Sequence, residues 1–242
     1  MFTVNNIKKG LIVSCQAAED EPLYGSDYMA RMALAAEIGG AVGVRVNSTA
    51  DITAVKKLVK LPVIGIIKKD YPNSKVRITP TMKEIYEVYE AGAEIVAVDC
   101  TFRKRPDNMA VASIISETKK NCPGLLFMAD ISTAEEGVFA YENGADIVAT
   151  TLAGYPDNPE STKDRIEFMP PSLDVVEELS KTIKCPVFCE GRVGTVENAI
   201  KALDLGAYCV VIGWAITRPQ IITLRIVEKI NQFFEEKANL PL

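Results

Sequence analysis

The sequence predicts one (β/α)8 barrel that spans residues 1–242. Three observations support this fold class. Eight short runs rich in Val and Ile recur about every 25–35 residues, amphipathic segments lie between them, and no linker or low-complexity tract divides the chain. Alternating strands and helices indicate a parallel sheet. Eight such units in 242 residues favour a closed barrel over an open, doubly wound sheet.

A repeated sequence pattern precedes and includes four of the predicted strands. In each copy a helical segment ends in glycine and a Val/Ile-rich run follows. Glycine supplies the left-handed conformation that ends a helix, and the apolar run suits a strand buried on both faces of a parallel sheet. The pattern occurs at 38–45, 91–99, 143–150 and 205–212. The other strands are predicted at 10–16, 63–67, 125–131 and 187–189.

The segments between the strands carry apolar residues at helical spacing. This spacing predicts helices at 81–91, at 172–183 and from Gln220 onwards. The longest irregular stretch, 154–171, is rich in Pro, Asp, Asn and Ser and follows the sixth strand. Its position suits either a loop over an active site or a plain surface insertion.

The composition excludes several classes of function. The chain has no histidine, which rules out His-ligated zinc sites, Ser-His-Asp triads and imidazole acid–base chemistry. Its 27 basic and 32 acidic residues give a net charge of −5, which argues against nucleic-acid and membrane-surface partners. The longest apolar run, 207–216, is too short to span a bilayer. Six scattered cysteines without a CxxC motif fit reduced thiols, so we expect a cytoplasmic protein.

Polar residues follow every predicted strand. In barrels of this class the catalytic residues lie at the C-terminal ends of the strands. Any strand must leave the core somewhere, but this explains less well why so many of these groups are charged or hydrogen-bonding. We therefore expect a polar site there for a ligand the size of a sugar or a phosphate. The groups in question are Gln16, Arg45, Lys68, Asp99, Asp130, Thr150, Glu190 and Arg218.

Lys68 is the leading candidate for proton chemistry. It directly follows the apolar run 64–67, and an apolar wall favours the neutral amine. A lysine of lowered pKa can act as a general base or as a Schiff-base nucleophile; a lysine at the rim can also simply bind an anion. Glu190 can partner Lys68, hydrogen-bond a substrate hydroxyl, or form an ion pair with Arg192 or another cation. We favour a structural role for Asp99 and binding of a hydroxyl for Asp130.

Two glycine turns resemble a phosphate site. Gly191-Arg192 follows the seventh strand and Gly213-Trp214 follows the eighth. Barrels often bind phosphate through the loops after these strands, using backbone N–H groups that glycine leaves accessible. The guanidinium groups of Arg192 and Arg218 can add charge-assisted contacts.

Taken together and in order, these motifs closely resemble the N-acetylmannosamine-6-phosphate 2-epimerases of sialic-acid catabolism. The resemblance runs from about residue 10 to residue 230. The motifs that carry it are Gly10-Leu-Ile-Val-Ser-Cys-Gln16, Asp20-Glu-Pro-Leu23, Met32-Ala-Leu-Ala-Ala36, Gly40-Ala-Val-Gly-Val-Arg45, Leu61-Pro-Val-Ile-Gly-Ile-Ile-Lys-Lys-Asp-Tyr71, Met128-Ala-Asp130, Thr150-Thr-Leu152 with Gly154-Tyr155, Glu190-Gly-Arg192 and Ala215-Ile-Thr-Arg-Pro219.

The resemblance implies a ribulose-phosphate-binding type of barrel that converts N-acetylmannosamine 6-phosphate to N-acetylglucosamine 6-phosphate. It implies that the lysine matching Lys68 moves the proton at C2 and that the acid matching Glu190 is its partner. It also implies a homodimer that uses no metal and no cofactor. The residues expected around the substrate are Gln16, Arg45, Asp130, Thr150 and Arg218, and those expected at its phosphate are Gly191, Arg192, Gly213 and Trp214.

One departure from the family pattern concerns Trp214, which replaces a small residue at the second phosphate turn. Its backbone N–H can still serve, provided that the ring points away. Two other functions use the same features. A Schiff-base lyase (an aldolase) acting on a keto-acid sugar phosphate would also need a strand-end lysine and a phosphate site. A non-catalytic sugar-phosphate-binding barrel would need the phosphate site but has no evident use for Lys68 and Glu190 together.

Overall fold

Eight parallel strands close into one barrel, with the first strand paired to the eighth. The structure is a computed structural model that describes residues 2–155 and 169–238. It confirms the (β/α)8 fold class. The strands are β1 (Gly10–Cys15), β2 (Gly43–Asn47), β3 (Val63–Ile66), β4 (Ile95–Asp99), β5 (Leu126–Asp130), β6 (Ile147–Ala149), β7 (Val187–Glu190) and β8 (Cys209–Ile212).

Helices surround the barrel and alternate with its strands. Among residues 2–155 and 169–238, no helix is long and apolar enough to cross a membrane. The helices are α1 (Ser26–Ile38), α2 (Thr49–Leu58), α3 (Met82–Glu90), α4 (Val111–Asn121), α5 (Ala134–Glu142), α6 (Leu173–Thr182), α7 (Val196–Asp204), α8 (Trp214–Thr217) and α9 (Pro219–Ala238).

The predicted elements agree with the observed ones to within one or two residues at most ends. The largest difference is at β2, which continues two residues past Arg45, its predicted end. A charged residue usually ends a buried strand, but the barrel interior pairs this charge with carboxylates. The irregular stretch 154–171, for which the sequence allows either a loop over the active site or a surface insertion, falls largely on residues 156–168, which lie outside the described residues.

Side chains alternate along each strand between the barrel interior and the layer beneath the helices. The side chains that point into the barrel are apolar along most of each strand and polar at its C-terminal end. Because every second residue points inward, this alternation determines which residue at each strand end faces the mouth of the barrel. The apolar interior side chains are Ile12, Ile64, Ile66, Ile95, Ala97, Met128, Ile147, Ala149, Phe188, Cys209 and Val211.

The N-terminal segment closes the lower end of the barrel. A 3-10 turn at Val4–Asn6 leads into Ile7, whose side chain is buried in the interior cluster. The Tyr208 hydroxyl donates to the Ile7 carbonyl oxygen over 2.7 Å. Because apolar groups fill this end in the described part of the chain, we expect a polar ligand to enter at the C-terminal ends of the strands.

A hairpin at 67–79, which the sequence analysis did not predict, borders that open end. Lys69 N–H donates to the Arg77 carbonyl oxygen (2.9 Å) and Thr79 N–H donates to the Ile67 carbonyl oxygen (2.8 Å). Buried Arg105 donates from Nη2 to the Pro80 carbonyl oxygen (3.0 Å) and holds the base of the hairpin. The hairpin thus forms one wall of the cavity at the mouth.

Candidate active site

A cavity of about 700 Å³ opens at the C-terminal mouth of the barrel. Its size lies within the range for small-molecule sites. Of the eleven residues predicted to react with or bind the substrate, nine line it, and Asp130 and Thr150 do not; Asp99, the other polar residue predicted at a strand end, also lines it. The nine are Gln16, Arg45, Lys68, Glu190, Gly191, Arg192, Gly213, Trp214 and Arg218.

Arg45 forms the centre of the cavity floor. From β2, its Nη2 donates to Asp130 Oδ2 (2.6 Å) and its Nη1 to Asp130 Oδ1 (3.1 Å), a two-point contact with β5. The same Nη1 donates to Glu190 Oε2 (2.7 Å) on β7. Arg45 is 1% exposed and Asp130 is fully buried. One guanidinium therefore fixes two carboxylates of different strands.

The charges of this cluster depend on one another. Burial disfavours the charged form of Arg45, but the carboxylates of Asp130 and Glu190 outweigh it and raise the pKa of Arg45. Burial raises the pKa of Glu190 to about 7; Arg45 opposes this shift and the Asp130 charge adds to it. Glu190, 13% exposed, is the member of the cluster that reaches the cavity. It therefore changes protonation near neutral pH.

Lys68 lies two residues past the end of β3. It continues the inward alternation of Ile64 and Ile66 and lines the cavity. Its backbone N–H donates to Asn47 Oδ1 (2.8 Å), which anchors the residue to the end of β2. Solvent reaches the Lys68 side chain through the open cavity, but protein atoms lie close enough to its ammonium group to desolvate it. Burial, followed by the positive charges of Arg45 and Arg218, lowers the pKa of Lys68 to about 8, while Glu190 acts in the opposite direction.

The adjacent lysine has a different environment. Lys69 Nζ donates to Glu84 Oε1 over 3.3 Å and lies 5.1 Å from the centre of the Tyr71 ring. It does not line the cavity. Two neighbouring lysines thus diverge, one toward the barrel mouth and one toward α3.

The two predicted phosphate turns lie side by side on the cavity wall. Gly191 has φ +107° and Arg192 has φ +59°, both in the left-handed region. The Arg192 side chain turns back, and its Nη2 donates to the Ala153 carbonyl oxygen and to Ser172 Oγ, each over 2.8 Å. Because the Arg192 guanidinium is engaged in this way, the turn presents mainly its backbone to the cavity.

The second turn begins the short helix α8. Gly213 is its N-cap residue and Trp214 its first residue. The indole lies against Gly194, where an added Cβ would come within 2.5 Å of the ring, and the Arg225 guanidinium is 5.7 Å from the ring centre. The ring therefore packs toward α9, and the backbone of Trp214 stays at the cavity wall.

Asp130 and Thr150 lie beneath the cavity. Both Asp130 oxygens are bonded to Arg45, and Oδ1 also accepts from Thr151 Oγ1 (2.6 Å). The Thr150 hydroxyl donates to the Glu190 carbonyl oxygen (3.0 Å) and accepts from the Glu190 N–H (3.2 Å). Both residues are therefore placed to orient the groups that line the cavity.

Sequence reasoning missed Thr151 and Asn47. Every second residue of β6 points into the barrel, and Thr151 continues the inward series of Ile147 and Ala149. This alternation distinguishes Thr151 from Thr150, which points the other way. Asn47 is the next inward residue after Arg45. The predicted strand ends at Arg45 and therefore leaves Asn47 out.

The cysteines do not provide an alternative proton carrier. All six are free thiols. Burial raises the pKa of Cys15 and of Cys189 to about 12, so these thiols stay protonated at neutral pH. Among residues 2–155 and 169–238, no three Cys, Asp or Glu side chains cluster in a way that could hold a metal ion.

Residues 29–232 match the model of the NanE family, described as “Putative N-acetylmannosamine-6-phosphate epimerase”. The chain belongs to this family of epimerases. A relative from Caldanaerobacter subterraneus subsp. tengcongensis, described in the same terms as a 2-epimerase, is 47% identical over 232 residues, which cover 96% of this chain and 95% of the relative. A Listeria monocytogenes relative of the same description is 45% identical over 235 residues, 97% of this chain and 98% of the relative.

Solved structures agree with this family membership. The N-acetylmannosamine-6-phosphate 2-epimerase from Clostridium perfringens superposes with a TM-score of 0.84 at 47% identity, covering 93% of this chain and 94% of that one. A thiamine phosphate pyrophosphorylase from Pyrococcus furiosus superposes with a TM-score of 0.55 at 17% identity and covers 88% of both chains. This second likeness shows the barrel fold alone.

The Arg45 cluster predicts a specific stability defect. Arg45→Met leaves two buried carboxylates without their cation, so we expect it to lower the free energy of unfolding by about 3–5 kcal/mol at pH 8. The loss should shrink as the pH falls, because protonation of the carboxylates relieves it. Arg45→Met combined with Asp130→Asn should recover part of the stability. Urea denaturation measures all three effects.

Arg31→Met is the matched control, since Arg31 lies exposed on α1. It should change the free energy of unfolding by less than about 0.5 kcal/mol. An Arg45→Met protein as stable as this control would contradict the account of the cluster.

Proposed function

We propose that this chain interconverts N-acetylmannosamine 6-phosphate and N-acetylglucosamine 6-phosphate, in sialic-acid and amino-sugar catabolism, without a metal or cofactor. The observation that carries the proposal is Lys68, a lysine of lowered pKa facing a cavity that also holds Glu190, in a chain of the epimerase family. The reaction is removal and return of the proton at C2 of the open-chain sugar.

The proposed chemistry begins at the neutral amine of Lys68. In the open-chain sugar C1 is an aldehyde, which acidifies the proton on C2. The amine takes this proton, and the electron pair of the C–H bond moves toward C1 to give an enolate with its charge on the aldehyde oxygen. A proton then returns to the other face of C2, either from the Lys68 ammonium if the intermediate turns or from the protonated Glu190 carboxyl if it does not, and this gives the epimer. The ammonium formed on Lys68 lies beside this negative charge and stabilises it.

Glu190 is the proposed partner of Lys68. Its raised pKa allows both protonation states near neutrality, which suits a group that gives and takes a proton in a reversible reaction. Arg45 holds the carboxylate through Oε2 and keeps it at the cavity wall. In this proposal Asp130 and Thr150 act through Arg45 and Glu190, in place of the direct substrate contact that the sequence predicts.

The phosphate of the sugar is proposed to bind at the turns of Gly191 and Gly213–Trp214. Glycine at 191 supplies a positive φ and leaves the backbone open to a ligand. Trp214 begins α8, so its backbone N–H lies at the N-terminal end of this helix, directly after Gly213. Arg218 adds a positive charge from the same end of the cavity. Arg192 supports the first turn through its contacts to Ala153 and Ser172.

The reaction is tested by NMR of N-acetylglucosamine 6-phosphate in deuterated water. The wild-type protein should replace the C2 proton with deuterium and produce the manno epimer. Lys68→Met should slow the exchange by at least about 100-fold, because it removes the general base. Lys69→Met is the matched control and should exchange at the wild-type rate, since Lys69 points to Glu84.

Two outcomes would contradict this proposal. The first is a folded, phosphate-binding wild-type protein that exchanges no deuterium. The second is normal exchange in Lys68→Met. Borohydride in the presence of substrate separates the lyase reaction, because only a Schiff base on Lys68 would be trapped as an adduct.

We also propose that the protein is a homodimer assembled through α9. This helix carries large apolar side chains on exposed surface, more than scattered single residues would give. Burial of such a face against a second copy would stabilise a dimer. The exposed apolar residues of α9 are Leu224, Ile226, Val227, Ile230, Phe233 and Phe234.

Sedimentation velocity tests the proposed dimer. At micromolar concentration the wild-type protein should sediment as a dimer. Ile230→Glu combined with Phe233→Glu places two charges on the face and should give a folded monomer. The exposed Arg31→Met variant serves again as the control and should remain dimeric. A monomeric wild-type protein would refute the assembly while leaving the proposed reaction intact.

A further inference from the structure

We propose that Glu21, in the loop between β1 and α1, is a positioning residue that holds the Arg218 guanidinium at the phosphate end of the cavity. Glu21 Oε1 forms an ion pair with Arg218 Nε over 2.9 Å. The same oxygen accepts from Gln220 Nε2 over 3.2 Å. The inference rests on the proposed function and adds to it a residue that does not line the cavity.

The Glu21 carboxylate is held by its own loop. Its Oε2 accepts from the Ala18 N–H (2.8 Å), and its backbone N–H donates to the Ala18 carbonyl oxygen (3.0 Å). The Glu21 side chain is 16% exposed, whereas its neighbours Glu19 and Asp20 are exposed residues. A carboxylate fixed at both oxygens is a rigid anchor, in contrast to a solvated acid on a mobile side chain.

The contact matters because of what Arg218 does. Arg218 links α8 to α9, and its carbonyl oxygen accepts from the N–H groups of Ile221 and Ile222. Its side chain reaches the cavity, with 29% of its surface exposed. The guanidinium is planar and rigid, so an ion pair at Nε restrains the orientation of the whole group. Ordering a long side chain before the ligand arrives removes part of the entropy cost of binding.

A direct role for Glu21 in binding the sugar phosphate is disfavoured by its charge. A carboxylate close to a phosphate site repels the ligand, which reduces affinity unless the acid orders a cation there. The Arg218 guanidinium is that cation. Arg218 is also one of the positive groups that act on Lys68, together with Arg45 and Arg77 and against Glu190. Releasing Arg218 should therefore affect both the substrate affinity and the protonation of Lys68.

The sign of the pH effect separates positioning from a simple charge effect. If Glu21 acted only through its negative charge, its removal would favour neutral Lys68 and move the acidic limb of kcat/KM to lower pH. If Glu21 holds Arg218, its removal takes away one of the contacts that keep the cation near Lys68, and the limb moves to higher pH. The two roles thus predict shifts in opposite directions.

The experiment measures KM, kcat and the pH profile for N-acetylmannosamine 6-phosphate in the full chain. Glu21→Ala should raise KM by about 3- to 10-fold, as expected for one side chain left disordered, and should move the acidic limb of kcat/KM to higher pH. Glu21→Gln keeps an acceptor for Arg218 Nε and should recover part of both effects. Glu19→Ala, in the same loop but exposed, should match the wild-type protein.

Three results would overturn the inference: an unchanged KM and limb in Glu21→Ala, a limb that moves to lower pH, or an equal effect of Glu19→Ala. Calorimetric titration with inorganic phosphate keeps the test independent of turnover. If the wild-type protein does not epimerise the sugar, the proposed function fails. The positioning role is then still supported if Glu21→Ala and Glu21→Gln bind phosphate more weakly than Glu19→Ala does.

Equal phosphate affinity in all the variants would refute the positioning role. If Glu21→Ala does not fold, Glu21→Gln supplies the comparison.

Discussion

The guanidinium of Arg45 joins three strands of the barrel, because it is anchored on β2 and donates to Asp130 on β5 and to Glu190 on β7. With both acids ionised this cluster carries one net negative charge in a nearly dry environment, and the nearby Lys68 supplies a positive one. Taking charges out of water is costly unless they are paired and hydrogen-bonded. The geometry at the end of β7 and the protonation of Lys68 both depend on this pairing.

The surroundings of the barrel mouth bring the pKa values of Glu190 and Lys68 close together. The pKa of Lys68 falls to about 8 through burial and neighbouring cations, and that of Glu190 rises to about 7 through burial. In water the two groups would titrate far apart. An epimerase must run its proton transfer in both directions, so groups that gain and lose protons near the same pH suit the reaction. In the proposed mechanism a lysine and a carboxylate carry out this proton transfer, since the chain has no histidine.

Much of the fold follows from local sequence patterns, while the site depends on contacts across the barrel. Glycine-ended helices followed by Val/Ile runs locate β4 and β8 at their observed ends. Strand parity explains why Thr151, and not Thr150, reaches the cavity. The depth of Arg45 was not predictable in this way, because its burial depends on carboxylates of two distant strands. The hairpin at 67–79 and the contact between Glu21 and Arg218 likewise bring together segments whose proximity cannot be predicted from local sequence patterns.

The central claim is that the barrel mouth lowers the pKa of Lys68 so that the neutral amine is available near neutrality. NMR titration of the substrate-free protein with 13C-labelled lysine measures this directly, with Lys68→Arg used to assign the signal. The account predicts that the Lys68 Cε resonance titrates with a midpoint near pH 8, well below the value of about 10.4 for an unperturbed lysine. A midpoint near that of an ordinary lysine would contradict it.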